Sequence, residues 1–240
     1  MSRRTSAGIV LALIAVLMVV ASSGTFYTRL SAQAAEVAPL RPFEPAPKAL
    51  PGFEPLPALD LRSAPQPRRV SREACGPEGA RVVRFRVHVQ RGVPFGTKAF
   101  ARTVRSILCD PRGWTASGAV RFRYDPRGEY LVSLRTPATT EARCMSLIGL
   151  SVRSTWSCAG TREAVLNSAR WLHGSPSLPM RVRPYRRLLV NHEVGHLLGH
   201  GHRSCPGPGE RAPVMMQQSK GLWGCRGNPW PLRSELAATS

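Results

Sequence analysis

Acidic residues are scarce in this chain. Its 240 residues hold 14 Asp and Glu against 34 Lys and Arg, a formal net charge of +20. Lysine is scarcer still: only Lys48, Lys98 and Lys220 occur, so the basic charge is almost wholly arginine. Aromatics make up 7% and are not interleaved with the arginines in the manner of RNA-binding motifs, so nucleic-acid binding is not expected. No set of apolar runs is long enough for several membrane spans, which excludes a multi-pass membrane protein. No Cys-x-x-Cys is present, which argues against a zinc ribbon or a thioredoxin-like redox pair. Residues 71–240 carry ten carboxylates and a net charge of +16, a poor composition for calcium sites and a favourable one for an anionic cell-envelope surface.

The apolar fraction of 42% is enough for a packed core, and the length suits one domain with appendages. Residues 1–35 read as a signal peptide or a signal anchor. Arg3 and Arg4 precede an apolar run from Ala7 to Ala21, short for a span and ordinary for an export signal. Small-residue cleavage patterns occur at Ala21-Ser22-Ser23 and Ala32-Gln33-Ala34, and both readings stand. Either one places the remainder outside the cytoplasm, secreted or anchored to the outer face of the membrane. Residues 36–70 hold nine prolines and read as an extended linker.

From residue 71 the chain reads as one α+β domain. Val83, Phe85, Val87 and Val89 alternate with Arg84, Arg86 and His88, which predicts a half-buried strand over 81–90. Helical spacing of Phe100, Val104, Ile107 and Leu108 predicts a helix over 97–109, stopped at Asp110-Pro111-Arg112-Gly113. Strands follow at Val120–Tyr124 and Tyr130–Leu134, then a short one at Glu163–Leu166, a helix over Tyr185–Leu198 and a loop-rich tail. Six cysteines, all in this domain, favour three disulfides in an exported protein. Order and loop length suggest 75–109, 144–158 and 205–225.

The stretch Asn191 to His202 carries the chemistry. It contains H-E-x-x-H at His192, Glu193 and His196, continuing through Gly199 to His202. On a helix His192 and His196 share one face and can hold one Zn2+. Glu193 is rotated by roughly 100°, poorly placed as a ligand and well placed as the general base for a metal-bound water. Gly199 can take φ > 0, end the helix and return His202 as third ligand. Three imidazoles leave a coordination position open, the mark of a catalytic rather than a structural zinc site. His200 reads as a solvated loop residue, Asn191 as a local cap, and His88 and His173 as structural. Trp114, Trp156, Trp171, Trp223 and Trp230 read as core or rim residues that could also line a cleft.

This pattern resembles the zinc signature of the metzincin clan of metallopeptidases, and Gly195 with Leu197-Leu198-Gly199 is most similar to its matrixin branch. Ala212-Pro213-Val214-Met215 resembles the clan's methionine turn beneath the metal, with Met216 as the alternative. The resemblance implies a metzincin-like fold: a twisted mixed sheet, an active-site helix, disulfides and a loop-rich C-terminal part. It also implies substrate binding along an edge strand, for which Glu163–Leu166 is the candidate. Two features depart from the clan: Gln217 stands where some members have a tyrosine, and acids for structural calcium are few. Cys75, in Ala-Cys-Gly-Pro-Glu, resembles the matrixin latency cysteine, with a disulfide as the rival role. Residues 71–230 as a whole also resemble a family of secreted actinobacterial proteins of unknown function, through Val165–Trp171, Tyr185-Arg-Arg, Asn191–His202, Cys205-Pro206, Ala212–Gln218 and Gly224 to Pro231.

The expectation is an exported, monomeric zinc metalloendopeptidase acting on proteins or peptides, with His192, His196 and His202 as ligands, Glu193 as base and Met215 as the floor. The alternatives are a non-catalytic zinc-containing envelope-binding protein and a zinc hydrolase of peptidoglycan amides.

Overall fold

A computed structural model describes residues 69–239. The expected signal or anchor over 1–35, and all of the expected linker except its last two residues, lie outside the described residues. Among the described residues no helix is long and apolar enough to cross a membrane.

The fold is α+β around a mixed five-stranded sheet. Its strands are β1 (Arg81–Val89), β2 (Val120–Tyr124), β3 (Tyr130–Arg135), β4 (Cys158–Ala159) and β5 (Glu163–Asn167), in spatial order β2-β1-β3-β5-β4. The first four in that order run parallel; β4 alone pairs antiparallel, at the edge. The helices are α1 (Thr97–Leu108), α2 (Pro137–Ile148), α3 (Ser168–His173), α4 (Val182–Leu197) and the short α5 (Arg233–Leu236). A 3-10 turn at Trp114–Ser117 follows α1.

Period-2 alternation decides the two sheet faces. Val83 and Phe85 of β1, Phe122 of β2, Val132 and Leu134 of β3, and Ala164 and Leu166 of β5 turn to one side. There they meet Phe100, Val104 and Leu108 of α1 and Leu188, Val190 and Val194 of α4 in the main core. Val165 points the other way and joins Cys144, Val152 and Cys158 in a smaller core under α2. All five residues of β5 are buried, because helices cover it on both sides. On the second face Glu163 accepts hydrogen bonds from Ser133 at 2.8 Å, from Arg135 at 3.0 Å and from Arg143 of α2 at 2.8 Å.

Strands β1, β2 and β3 and helix α1 lie where the sequence pattern predicts them, within a residue or two. Helix α4 begins three residues before the expected Tyr185. Two expectations change. Residues Glu163–Leu166 do not form the edge: β5 lies between β3 and β4, and the edge is the two-residue β4. Helix α2 was not anticipated, since only Thr140 and Cys144 of its residues are fully buried and no apolar stripe marks it. Its signals are local: Thr136 caps it, Pro137 opens it and Gly149 ends it at φ +67°.

Three disulfides join Cys75–Cys109, Cys144–Cys158 and Cys205–Cys225, the pairing expected from order and loop length. The bond to Cys109 removes the latency role considered for Cys75, since its sulfur has no free thiolate to offer a metal. Disulfides of this number suit an oxidising, extracytoplasmic compartment.

Candidate metal centre

Helix α4 carries the site because its two faces differ. Tyr185, Leu188, Leu189 and Val194 are buried, while His192 and His196 are half-buried at the surface of a cleft. At its end Gly199 takes φ +93°, and the His200 N–H donates to the Gly195 carbonyl at 3.0 Å. The chain then doubles back and returns His202, which is exposed, to the two helix histidines. One ring nitrogen from each of His192, His196 and His202 lies within 4.8 Å of the others. The expected turn at Gly199 and the expected convergence are both present.

The hydrogen bonds around the rings decide which nitrogens converge. His192 Nδ1 lies 2.8 Å from the Val214 carbonyl, and His196 Nδ1 lies 2.8 Å from the His200 carbonyl. A carbonyl only accepts, so each Nδ1 carries the proton and donates. Each Nε2 is then a free lone pair, the form a metal ligand needs. Burial, then repulsion from His196, lowers the His192 pKa to about 3, and burial also lowers those of His196 and His202. The rings are therefore neutral at ordinary pH. His192, His196 and His202 could thus hold one metal ion through neutral imidazoles, a donor set that suits Zn2+, with the tautomers of His192 and His196 fixed by the two carbonyls.

Glu193 is 4% exposed, and burial pushes its carboxyl pKa up to about 8. It lines the cleft next to His192 and makes no ion pair among the described residues. A dication at the histidines would favour its ionised form.

Beneath the histidines lies a floor of three side chains. Met215 is fully buried and packs on Gly195, where a Cβ would collide with its sulfur. Met215 thus packs under the helix that carries His192 and His196, whereas Met216 lies in a separate small cluster with Ala212 and Cys225. Trp114 is fully buried, donates its indole N–H to the Asn191 carbonyl at 2.9 Å and stacks on His200 at 4.4 Å between centroids. His200 is thus a correction. It is 7% exposed and its Nε2 lies 3.0 Å from the Thr239 hydroxyl, so it belongs to the floor and not to solvent. Asn191 is likewise more than a local cap: it is fully buried and ties α4 to the Pro229 carbonyl at 2.9 Å.

One carboxylate organises this floor and escaped the sequence reading. Glu235 of α5 is fully buried and accepts from the backbone N–H groups of Val214, Met215 and Leu232 at 2.8–2.9 Å. The same Val214 whose N–H it holds presents its carbonyl to His192. The available signal was faint: an acidic residue in an Arg-rich tail that has few.

The cleft has two arms, and His192 and Glu193 line both. A wide groove runs between the triad and Leu147, Ile148, Leu150 and Trp156, beside the edge strand β4. A narrower recess opens between α4 and the segment Met216–Lys220. Gln217 lines both arms. Of the remaining tryptophans, Trp156 lines the cleft, Trp171 is core, Trp223 is exposed, and Trp230 packs partly buried against the core with Arg112 and Arg187 over its ring.

Residues 69–228 match the family described as "Protein of unknown function (DUF3152)". No curated protein matches the chain.

Proposed function

The chain belongs to the DUF3152 family, and we propose that it is an extracytoplasmic zinc-dependent metalloendopeptidase with a metzincin-like catalytic domain. The observation that carries the reading is the buried carboxylate of Glu193 beside three convergent neutral imidazoles. A site that served only to hold the fold together would have no use for an uncompensated carboxyl at its mouth.

His192, His196 and His202 would hold the ion through Nε2 of the two helix histidines and a ring nitrogen of the third. When bound, zinc acidifies a coordinated water and polarises a carbonyl. Glu193 accepts the proton of the attacking water and afterwards passes it to the leaving amine. The carbonyls of Val214 and His200 hold their rings in one tautomer throughout. Met215 and Trp114 exclude water from below, which sharpens the electrostatics of the cleft. The groove past Trp156 leaves space for an extended chain beside β4.

The test uses the full chain beside its Glu193→Gln variant. Metal content and cleavage of casein and a peptide library are measured on both. One zinc per chain in each, with cleavage confined to the wild type, is the expected result. Equal cleavage by the variant would overturn the role of Glu193, and absence of zinc would overturn the site.

A second reading has its own observation. On the sheet face that α2 leaves uncovered, Arg84 of β1 stands directly opposite Arg123 of β2, and neither has an ion pair among the described residues. Like charges opposed on neighbouring strands destabilise a sheet unless an anion lies across them. This favours an envelope-bound protein that docks on an anionic polymer. Binding to purified cell wall that disappears in Arg84→Ser/Arg123→Ser, without hydrolysis by wild type, would replace the first reading. Digestion of wall but of no protein would move the substrate to peptidoglycan amides.

A further inference from the structure

We infer that the recess beside Glu193 is a specificity pocket for a carboxylate-terminated side chain, read by Arg170 with Lys220 at its rim. The inference rests on the peptidase reading for its place next to the bond that is cut, but the chemistry of the pocket stands on its own residues.

The lining of the recess is of two kinds. Leu188, Leu189 and Met216 are apolar, and Arg170 and Lys220 are cationic. Arg170 is half-buried, and its Nε and Nη1 donate to the carbonyls of Thr155 at 3.2 Å and Gly174 at 3.1 Å. Those two bonds fix the guanidinium in place. No carboxylate pairs with it among the described residues. Its Cζ lies 5.9 Å from the ring centroid of Trp156, which borders the same recess. Lys220 is exposed at the rim. Apart from Glu193, no lining residue is acidic.

A half-buried guanidinium held by neutral carbonyls still lacks a counter-ion, and the loss of hydration is offset only when an anion arrives. An apolar wall beside a fixed cation matches a side chain that carries methylenes and ends in a carboxylate, the methylenes packing on Leu188 and Leu189 and the carboxylate pairing with Arg170. A lysine or arginine side chain would be repelled there. A leucine would fill the wall and leave the cation unpaired.

Such a carboxylate is carried by glutamate in a protein or by the stem peptide of a cell wall. The experiment separates these sources and separates the pocket from the peptidase reading. Peptides identical except for Glu, Gln, Leu or Lys at the position flanking the cut, together with purified wall, are offered to the full chain. In parallel glutarate is titrated in, with the Trp156 indole N–H followed by NMR and assigned through Trp156→Phe. The expected results are a preference for Glu over Leu of roughly 10- to 100-fold in kcat/KM, the span of one charged hydrogen bond, and a saturable Trp156 shift. Both should vanish in Arg170→Gln, recover in part in Arg170→Lys, and weaken in Lys220→Glu, whose exposed position leaves folding intact. Preference for wall over every peptide assigns the carboxylate to the stem peptide. If no substrate is cut, the peptidase reading falls while the glutarate shift still decides the pocket. A Trp156 signal indifferent to glutarate, or a preference for Leu or Lys peptides, overturns the inference.

Discussion

Gly195 of α4 lies directly on Met215, so closely that a Cβ there would overlap the methionine sulfur and stand 2.7 Å from Trp114 Cζ2. The helix that presents His192 and His196 is therefore seated on its floor through a missing side chain. Gly195→Ala sets two effects against each other. Alanine gains roughly 0.5–1 kcal/mol of helix propensity. Overpacking two fully buried side chains costs about 1–3 kcal/mol. The net expectation is a destabilised protein with weakened zinc binding, measured by urea unfolding and zinc competition. Met215→Leu, which nearly conserves volume, should cost less than about 1.5 kcal/mol.

Glu235 is a positioning residue that acts on His192 through Val214. Glu235→Gln retains one carbonyl acceptor and adds donors where three backbone N–H groups already point. Zinc affinity should fall roughly 10- to 100-fold, as for other losses of support behind a ligand. If zinc affinity is unchanged while only the melting temperature drops, the role of Glu235 is confined to the fold.

Glu163 makes stability depend on acid. Burial alone would raise its pKa, but hydrogen bonds from Arg143, Ser133 and Arg135 together outweigh that and hold it below the usual carboxylate range. A depressed folded-state pKa contributes stability above the unfolded value, near pH 4.3. That contribution is lost as the pH falls through the folded-state value. Urea midpoints measured from pH 7 downward should therefore drop below about pH 4.3, and should drop less steeply in Glu163→Gln. Parallel curves for the two proteins would remove Glu163 as the source.

Cys144–Cys158 staples α2 to the edge strand along the wide groove. The bond closes a loop of 14 residues, worth about 3 kcal/mol in chain entropy. The Cys144→Ser/Cys158→Ser protein should lose about that much and open the groove wall first, seen as faster proteolysis between residues 149 and 157. Cleavage elsewhere first would place the weak point outside this loop.

Zinc should stabilise the wild type by about 2.7 kcal/mol at a concentration 100 times its Kd. His202→Ala should lose most of that gain, because the two helix histidines alone make an incomplete set. Thermal melts with zinc and with chelator read this directly.

Much of the site was legible in the sequence because its rules are local. Four-residue spacing puts His192 and His196 on one helix face whatever packs behind them. Only glycine adopts φ +93° without strain, so Gly199 marks the turn that brings back His202. Alternation in β1 and β2 likewise depends on neighbours along the chain.

What the fold alone decided are relations between distant segments. Antiparallel pairing of β4 turned Glu163–Leu166 from an edge into an interior strand, since a strand's neighbours are set by the sheet and not by its own residues. Trp114 reached across 77 positions to cover α4 and bury His200, which its flanking glycines had marked as loop. Arg170 gained a pocket, and Glu235 three backbone donors, from segments that share no pattern with them. By itself the sequence determined which residues could share a metal, because helix geometry is a property of consecutive residues. Only the tertiary structure decided what holds those atoms still and what faces the space beside them, because burial and counter-charge are supplied by residues far away along the chain.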